Sequence, residues 1–166
     1  MPPARPPEAN PGDRKSAGAG LRLRAEDADD LAVISACLQD ALVSVGDLAY
    51  DRDARRFLLV ANRFRWEARG ARRGRRGAFE RTLCALAFEE VEAVAYRGFQ
   101  RSEEERILSL LAIEPAGDTA AAAIDLEFAG GATIRLAAAA IRCRARDFGE
   151  PWPTAWRPDH TLEEKP

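Results

Sequence analysis

Apolar and polar side chains alternate most clearly in the segment from Asp40 to Trp66. One series consists of residues 58, 60, 62, 64 and 66, and the other consists of residues 59, 61, 63 and 65. Successive side chains of a strand point to opposite faces, so this pattern predicts a strand. The Asp-rich segment 51–55 predicts a turn that joins it to a preceding strand. Both series stay largely apolar as far as Asn62, so we expect the hairpin to be covered on both faces.

The spacing changes in the segment before this hairpin. Leu31, Ile34 and Leu38 recur at helical spacing, and the acidic residues of segment 26–30 suit the positive end of a helix dipole. We predict a helix over residues 27–39, after a short alternating edge strand at 21–24. Further strands are predicted at 79–88, 91–96, 107–113, 124–128 and 133–136, the last two joined by a turn around Gly130-Gly131. Segment 137–147 favours either helix or strand, and we prefer a strand that ends near Arg144.

Strands that follow one another through short connections, with one early helix, indicate an α+β fold. We expect a predominantly antiparallel, curved or barrel-like sheet with one N-terminal helix packed on it. Residues 1–20 are rich in Pro, Gly and charge and predict a disordered N-terminal arm. We expect a single domain over residues 21–158 and a flexible C-terminal end at 159–166.

Composition indicates the class of protein and its expected cellular location. Its 166 residues are 46% hydrophobic and 31% charged, as in ordinary globular domains. No apolar segment is long enough to span a bilayer, and the N-terminus lacks the apolar stretch of a secretory signal. We therefore expect a cytoplasmic protein without membrane association. Cys37, Cys84 and Cys143 are expected to be reduced, mostly buried thiols.

Charge is distributed unevenly along the chain. Residues 54–81 carry ten Arg and two Glu, whereas the flanking segments 21–53 and 82–118 each carry three Arg and eight acids. The loop EARGARRGRRGA has nothing to bury and is predicted to be exposed. It could neutralise phosphates, with Trp66 and Phe79 at its ends to stack on bases. Its arginines are Arg69, Arg72, Arg73, Arg75 and Arg76.

The Pro-rich segment after Gly149 suggests a second candidate surface. Trp152, Trp156, Arg157 and His160 combine aromatic and Arg side chains, a composition common in protein-interaction hot spots. The alternative is that the tryptophans pack on the body and close the core. An exposed sheet edge and adjacent blocks of opposite charge favour an unknown protein partner or a homo-oligomer.

The sequence gives less support for a catalytic or metal site than for a binding surface. His160 is the single histidine and lies in a Pro-flanked segment, and no Ser or Cys lies in a nucleophile turn. Asp47 is a candidate partner for Arg63 or Arg65, more typical of a structural ion pair than of catalysis. The acids at 27, 29 and 30 lack calcium-loop spacing. We predict no catalytic, cofactor-binding or metal-binding residues, and no cofactor.

Several long segments resemble a bacterial family of unassigned function, DUF2948, found mainly in alphaproteobacteria. They are DLAVISACLQDALVSVGDLAYDRDARRFLLVANRFRWE, ILSLLAIEP, IDLEFAGGATIRL and PWPTAWRPDH. The resemblance covers about residues 21–160 and implies a single cytoplasmic domain, with no activity to transfer. Our leading interpretation is a protein-interaction or binding module without catalysis. The alternative is sequence-independent nucleic-acid binding through the Arg-rich loop 69–76.

Overall fold

The computed structural model describes residues 20–67, 79–117 and 122–154. Within these ranges the chain forms nine strands and one α-helix. In chain order the elements are β1 (Arg22–Ala25), α1 (Ala28–Cys37), β2 (Leu42–Asp51), β3 (Arg56–Phe64), β4 (Phe79–Phe88), β5 (Val91–Arg97), β6 (Ile107–Ala116), β7 (Ala122–Phe128), β8 (Thr133–Ala138) and β9 (Cys143–Thr154).

All nine strands belong to one antiparallel sheet in the order β1-β9-β4-β3-β2-β6-β7-β8-β5. The predicted antiparallel α+β class is therefore confirmed. The order is open, with β1 and β5 at its two edges, so the expectation of a barrel-like closure is not met. The helix follows β1, in the predicted order of segments 21–24 and 27–39, so its description as an N-terminal helix is not confirmed.

The open sheet nevertheless folds back on itself. The Tyr50 hydroxyl of β2 donates to the Val91 carbonyl of β5 at 2.9 Å, and the Val91 N–H donates to the Arg55 carbonyl. Three strands separate β2 from β5 in the sheet, so a flat sheet would hold them about 19 Å apart. These hydrogen bonds therefore require strong curvature, which encloses the hydrophobic core.

Helix α1 lies on the inner face of this curved sheet. Asp27 caps it, because the Asp27 carboxylate accepts a hydrogen bond from the Asp30 N–H at 2.8 Å. Leu31 and Ile34 are fully buried in the core, where the helix packs against β1 and β6. The Ser35 hydroxyl accepts a hydrogen bond from the Ile113 N–H of β6 at 2.9 Å. The predicted range 27–39 matches this helix to within two residues at each end.

The alternation in β3 determines which residues enter the core. Phe57, Leu59 and Ala61 are buried on the inner face, whereas Leu58 and Val60 on the outer face are partly exposed. Arg63 follows the inner series and is completely buried. The predicted hairpin of β2 and β3 is confirmed, with its turn at residues 52–55.

The C-terminal third differs most from expectation. The β7–β8 connection is a short 3-10 turn at Ala129–Gly131 instead of a two-residue turn, with φ of 80° at Gly130 and 82° at Gly131. Strand β9 continues through Pro151 and Pro153, well beyond Arg144, near which we predicted the strand to end. These prolines are two residues apart, so their missing N–H groups lie on the same side of β9. Among the described residues nothing pairs with β9 on that side there, because β1 pairs only with residues 143–146.

Three predicted segments lie wholly or almost wholly outside the described residues. They are the N-terminal arm 1–20 apart from Gly20, the Arg-rich loop 69–76, and the C-terminal end 159–166. Among the helices that the structure describes, none is long and apolar enough to cross a membrane.

Candidate functional site

Only two of the predicted binding residues, Trp66 and Trp152, fall within the described parts of the chain. Both are partly buried, and they lie on either side of the first residues of β4. The remaining eight lie outside the described residues: Arg69, Arg72, Arg73, Arg75, Arg76, Trp156, Arg157 and His160.

Trp66 belongs to a group of three rings that we call the aromatic cluster: Phe64, Trp66 and Phe79. The ring centroid of Phe64 lies 4.6 Å from that of Trp66 and 5.6 Å from that of Phe79. Phe64 is completely buried although it points away from the main core. The cluster therefore forms a second, smaller apolar centre at the end of β3 and the start of β4, and Trp66 is part of it.

Trp152 is linked to the aromatic cluster through Arg81. In the sheet register Arg81 of β4 lies opposite Phe64 on one side and opposite Trp152 on the other, so all three share one face. Arg81 is 5% exposed, and its Nη1 donates to the Asn62 carbonyl at 3.2 Å and to the Asn62 side-chain oxygen at 3.1 Å. The structure thus brings the two tryptophans to one end of one sheet face.

The inner face carries a buried ion cluster at the same end of the sheet. Arg63 is fully buried, and its Nε donates to Asp147 Oδ1 at 2.8 Å while its Nη1 donates to Glu67 Oε2 at 3.0 Å. Asp147 also accepts a hydrogen bond from the Leu21 N–H at 2.8 Å. The cluster therefore ties β3 and β9 to the residue before β1.

This arrangement corrects the predicted pairing of Asp47. Asp47 is exposed on β2, whereas Arg63 pairs with Asp147 and Glu67, and Arg65 pairs with Glu80. Burial raises the pKa of Asp147, but hydrogen bonds from Arg63 and the Leu21 N–H more than offset this, so its pKa lies below the ordinary value. The charges of Arg63 and Asp147 satisfy each other, which indicates a structural ion pair.

The thiols behave as buried apolar groups. Burial raises the pKa of both Cys84 and Cys143 to about 12, so neither is a thiolate near neutral pH. Burial also raises the pKa of Cys37. In the parts of the chain that the structure describes, no group of three His, Cys, Asp or Glu residues could hold a metal ion. Of the acids at the helix start, Asp27 acts as the helix cap.

A feature that the sequence did not reveal lies on the outer face of β1 and β9. Arg22 lies directly opposite Arg146, and Arg24 lies directly opposite Arg144. All four are exposed and point to the same side, since residues two apart on a strand share a face. We call Arg22, Arg24, Arg144 and Arg146 the arginine array.

The positive charges of the arginine array are not paired with acidic side chains in the described parts of the chain. Within residues 20–67, 79–117 and 122–154, no salt bridge joins any of its four side chains to an acid. Like charges directly opposite each other across two strands are destabilising. The array therefore carries an electrostatic cost that a bound anion would relieve.

The neighbouring strands provide an apolar floor beside the array. Ala85 and Ala87 of β4 lie opposite Arg146 and Arg144, and beyond them Val60 and Leu58 of β3 continue the same two rows. The small alanines leave a shallow depression of about 430 Å³, which the array lines on one side. Phe148, two residues beyond Arg146 on the same face, is 40% exposed. We call this surface of β1, β9, β4 and β3 the outer face.

The sequence contained a partial signal for the arginine array. Leu21–Arg24 and Ile141–Arg144 both alternate between Arg and apolar residues, which is typical of strands with one basic face. Their pairing joins segments more than 100 residues apart. Local spacing cannot show that two such segments are neighbours, so the array emerged only from the sheet register.

These features define an antiparallel α+β domain with a buried ion cluster on one side of its sheet and a basic surface on the other. The family model described as "Protein of unknown function (DUF2948)" matches residues 21–160 of the 166, and the chain belongs to this family. No curated protein and no solved structure matches the chain.

Proposed function

We propose that this protein is a binding module whose outer face holds an anionic macromolecule, and that it carries out no catalysis. The observation that carries this proposal is the direct opposition of Arg22 to Arg146 and of Arg24 to Arg144. Four exposed arginines without acidic partners in the described residues form a compact positive surface on a protein of net charge −2. An anion bound there would remove the repulsion between the opposed side chains.

The most reactive side chains have other roles. Arg63 and the carboxylates around it are held in a buried ion cluster, and the raised pKa values of Cys84 and Cys143 disfavour a nucleophilic thiol. These observations support binding over catalysis. We retain the cytoplasm of a bacterium as the setting, and residues 21–158 as the extent of the domain.

Retention on immobilised heparin, a generic polyanion, tests the proposal. We expect the wild-type protein to bind at low salt despite its net negative charge, and to elute at a defined higher salt concentration. The double variant Arg22→Gln/Arg146→Gln should elute much earlier, because it loses one complete opposed pair. The matched control is Arg52→Gln/Arg97→Gln, which removes two exposed arginines from the β2–β3 turn and from β5.

Equal retention of both double variants would contradict the proposal. It would show that charge in general, or a segment outside the described residues, governs binding to the polyanion. Circular dichroism melting curves of all three proteins establish that each is folded during the experiment.

A further inference from the structure

We propose that the anionic partner is a single-stranded nucleic acid, with its phosphates on the arginine array and a base stacked on Phe148. This inference rests on the proposed function, because it assigns a chemical class to the partner of the same outer face. It uses only described residues and does not involve the Arg-rich loop.

The spacing of the arginine array suits a chain of repeating phosphates. Residues two apart on a strand, such as Arg144 and Arg146, are separated by about 6.8 Å along the strand. Directly opposed residues, such as Arg22 and Arg146, lie about 5 Å apart. The array therefore presents two guanidinium pairs in succession along the strands. Guanidinium groups bind phosphate oxygens through two parallel hydrogen bonds, so each pair can hold one phosphate of a passing strand.

The next side chain on this face of β9, beyond Arg146, is aromatic. Phe148 follows Arg146 on the same face of β9, and its register partner on β4 is Leu83. It is 40% exposed, and it is the one aromatic residue among the exposed large apolar side chains of the described residues. Sheets that bind single strands combine basic residues with aromatic rings on neighbouring positions, and the rings stack on bases without sequence preference. Phe148 is placed for this role.

At the opposite end of the array the positive charge is compensated by acidic residues. Glu89 and Glu90 lie there beside Arg56 and Arg142, with which they form ion pairs of 3.0 Å and 3.8 Å. Glu26 lines the same end. Compensated charge at one end and an exposed ring at the other favour a strand that leaves the array towards Phe148.

The shape of the surface favours a single strand over a lipid bilayer. The depression of about 430 Å³ beside the array has Ala85 and Ala87 as its floor. A flexible strand can place a sugar or a base in such a depression. A bilayer surface is broad, and would contact the three glutamates at this end of the array together with the arginines. The observations therefore favour nucleic acid.

Fluorescence anisotropy with a labelled 12-nucleotide oligo(dT) tests this inference. We expect the wild type to bind at low salt with a log–log salt slope of about −1.4, from about −0.7 for each of the two phosphates that the two arginine pairs hold. The variant Arg22→Gln/Arg146→Gln removes one pair, and with it one phosphate contact, so it should reduce the magnitude of the slope by about 0.7. The control Arg52→Gln/Arg97→Gln should leave it unchanged. Phe148→Ala should weaken binding by about tenfold while preserving the slope, because stacking does not involve counterion release.

Each outcome separates the inference from the proposed function. Binding to heparin without binding to the oligonucleotide would overturn the inference and leave the proposed function intact, with an acidic protein segment as the next occupant. Binding to vesicles containing phosphatidylserine but not to oligo(dT) would overturn it in favour of lipid. Oligonucleotide binding that the array variant does not change would place the nucleic-acid site elsewhere and overturn it as well. Failure on heparin and oligonucleotide together would reject both proposals.

Discussion

Arg63 and Asp147 form a two-point ion pair across the sheet, although 84 residues separate them in sequence. The Arg63 side chain is fully buried and that of Asp147 is 5% exposed. Two charges are stable in such a place only when their geometry is good and their remaining hydrogen-bonding groups are satisfied. Glu67 and the Leu21 N–H provide those further partners. The pair therefore connects the interior of the sheet to Leu21, the residue just before β1.

Asp147→Asn is expected to destabilise the protein by about 3 kcal/mol, because it leaves the buried Arg63 charge only partly compensated. The matched control is Asp125→Asn, which breaks the exposed pair between Asp125 and Arg135. That change should cost less than about 1 kcal/mol. Urea denaturation of the three proteins at pH 7 measures both effects. Equal losses for the two variants would show that the Arg63–Asp147 pair has no special structural role.

Stability should fall as the solution is acidified. The pKa values of Asp147 and Glu67 both lie below their ordinary values. Burial alone would raise these pKa values, but the hydrogen bonds from Arg63 and the neighbouring positive charge together lower them by more. A carboxyl group with a lowered folded-state pKa stabilises the protein fully above its unfolded-state pKa, near 4. This contribution is lost as the pH falls through the lower folded-state value. Urea denaturation between pH 3 and pH 7 should show the loss, and Asp147→Asn should make the profile flatter. A wild-type profile as flat as that of the variant would contradict this linkage.

The fold was predictable from local pattern wherever one face of an element is buried. The period-two series of β3 predicted the strand and its hairpin, and the spacing of Leu31, Ile34 and Leu38 predicted the helix. The open strand order was not predictable, because β1 pairs with β9 from the other end of the chain. Pro151 and Pro153 misled us for a related reason, since a proline is acceptable where the neighbouring strand has already ended.

The candidate site was predictable only in part. Trp66 and Trp152 were identified by residue type, and the structure places both at one end of the outer face. The arginine array was missed because it forms only when β1 and β9 pair and place their arginines opposite each other. Taken alone, each segment has the pattern of an ordinary strand with one basic face. Arg63 was identified as an ion-pair residue but assigned the wrong partner, because Asp147 is distant in sequence and Asp47 is near.

The cysteines should be unreactive in the folded protein. Cys84 and Cys143 are buried and their pKa values are raised to about 12, so the reactive thiolate is scarce at pH 8. We expect an aromatic disulfide reagent to modify them at least 100-fold more slowly in buffer than in 8 M urea. Cys37, which is only partly buried, should be the first to react. The variant Cys37→Ser is the control, and a fast native reaction that persists in it would contradict the assignment.

The role of Trp156 remains a prediction, because this residue lies outside the described ranges. If it closes the core, Trp156→Ala should destabilise the protein by about 3–5 kcal/mol, the usual cost of emptying a buried aromatic site. If it anchors an interface, stability should change by less than about 1 kcal/mol while self-association or partner binding is lost. We expect the structural result. Thermal denaturation and sedimentation of this variant, with Trp152→Ala for comparison, distinguish the two roles.

The arginine array makes a prediction about stability that is opposite in sign to that for Arg63. Arg146→Gln removes one member of the opposed pair formed with Arg22, and should raise the melting temperature by a few degrees at low salt. The increase should disappear at 0.5 M salt, because ions screen exposed charges at these distances. Arg97→Gln, an exposed arginine on β5, should leave the melting temperature unchanged.

Thermal melts of these variants at 10 mM and 500 mM salt measure the effect. If replacing Arg146 both stabilises the fold and weakens anion binding, its role is in binding and not in stability. A lower melting temperature for Arg146→Gln at low salt would show that the array contributes favourably to the fold. In that case the repulsion argument, and with it the support for an anionic partner on the outer face, would be wrong.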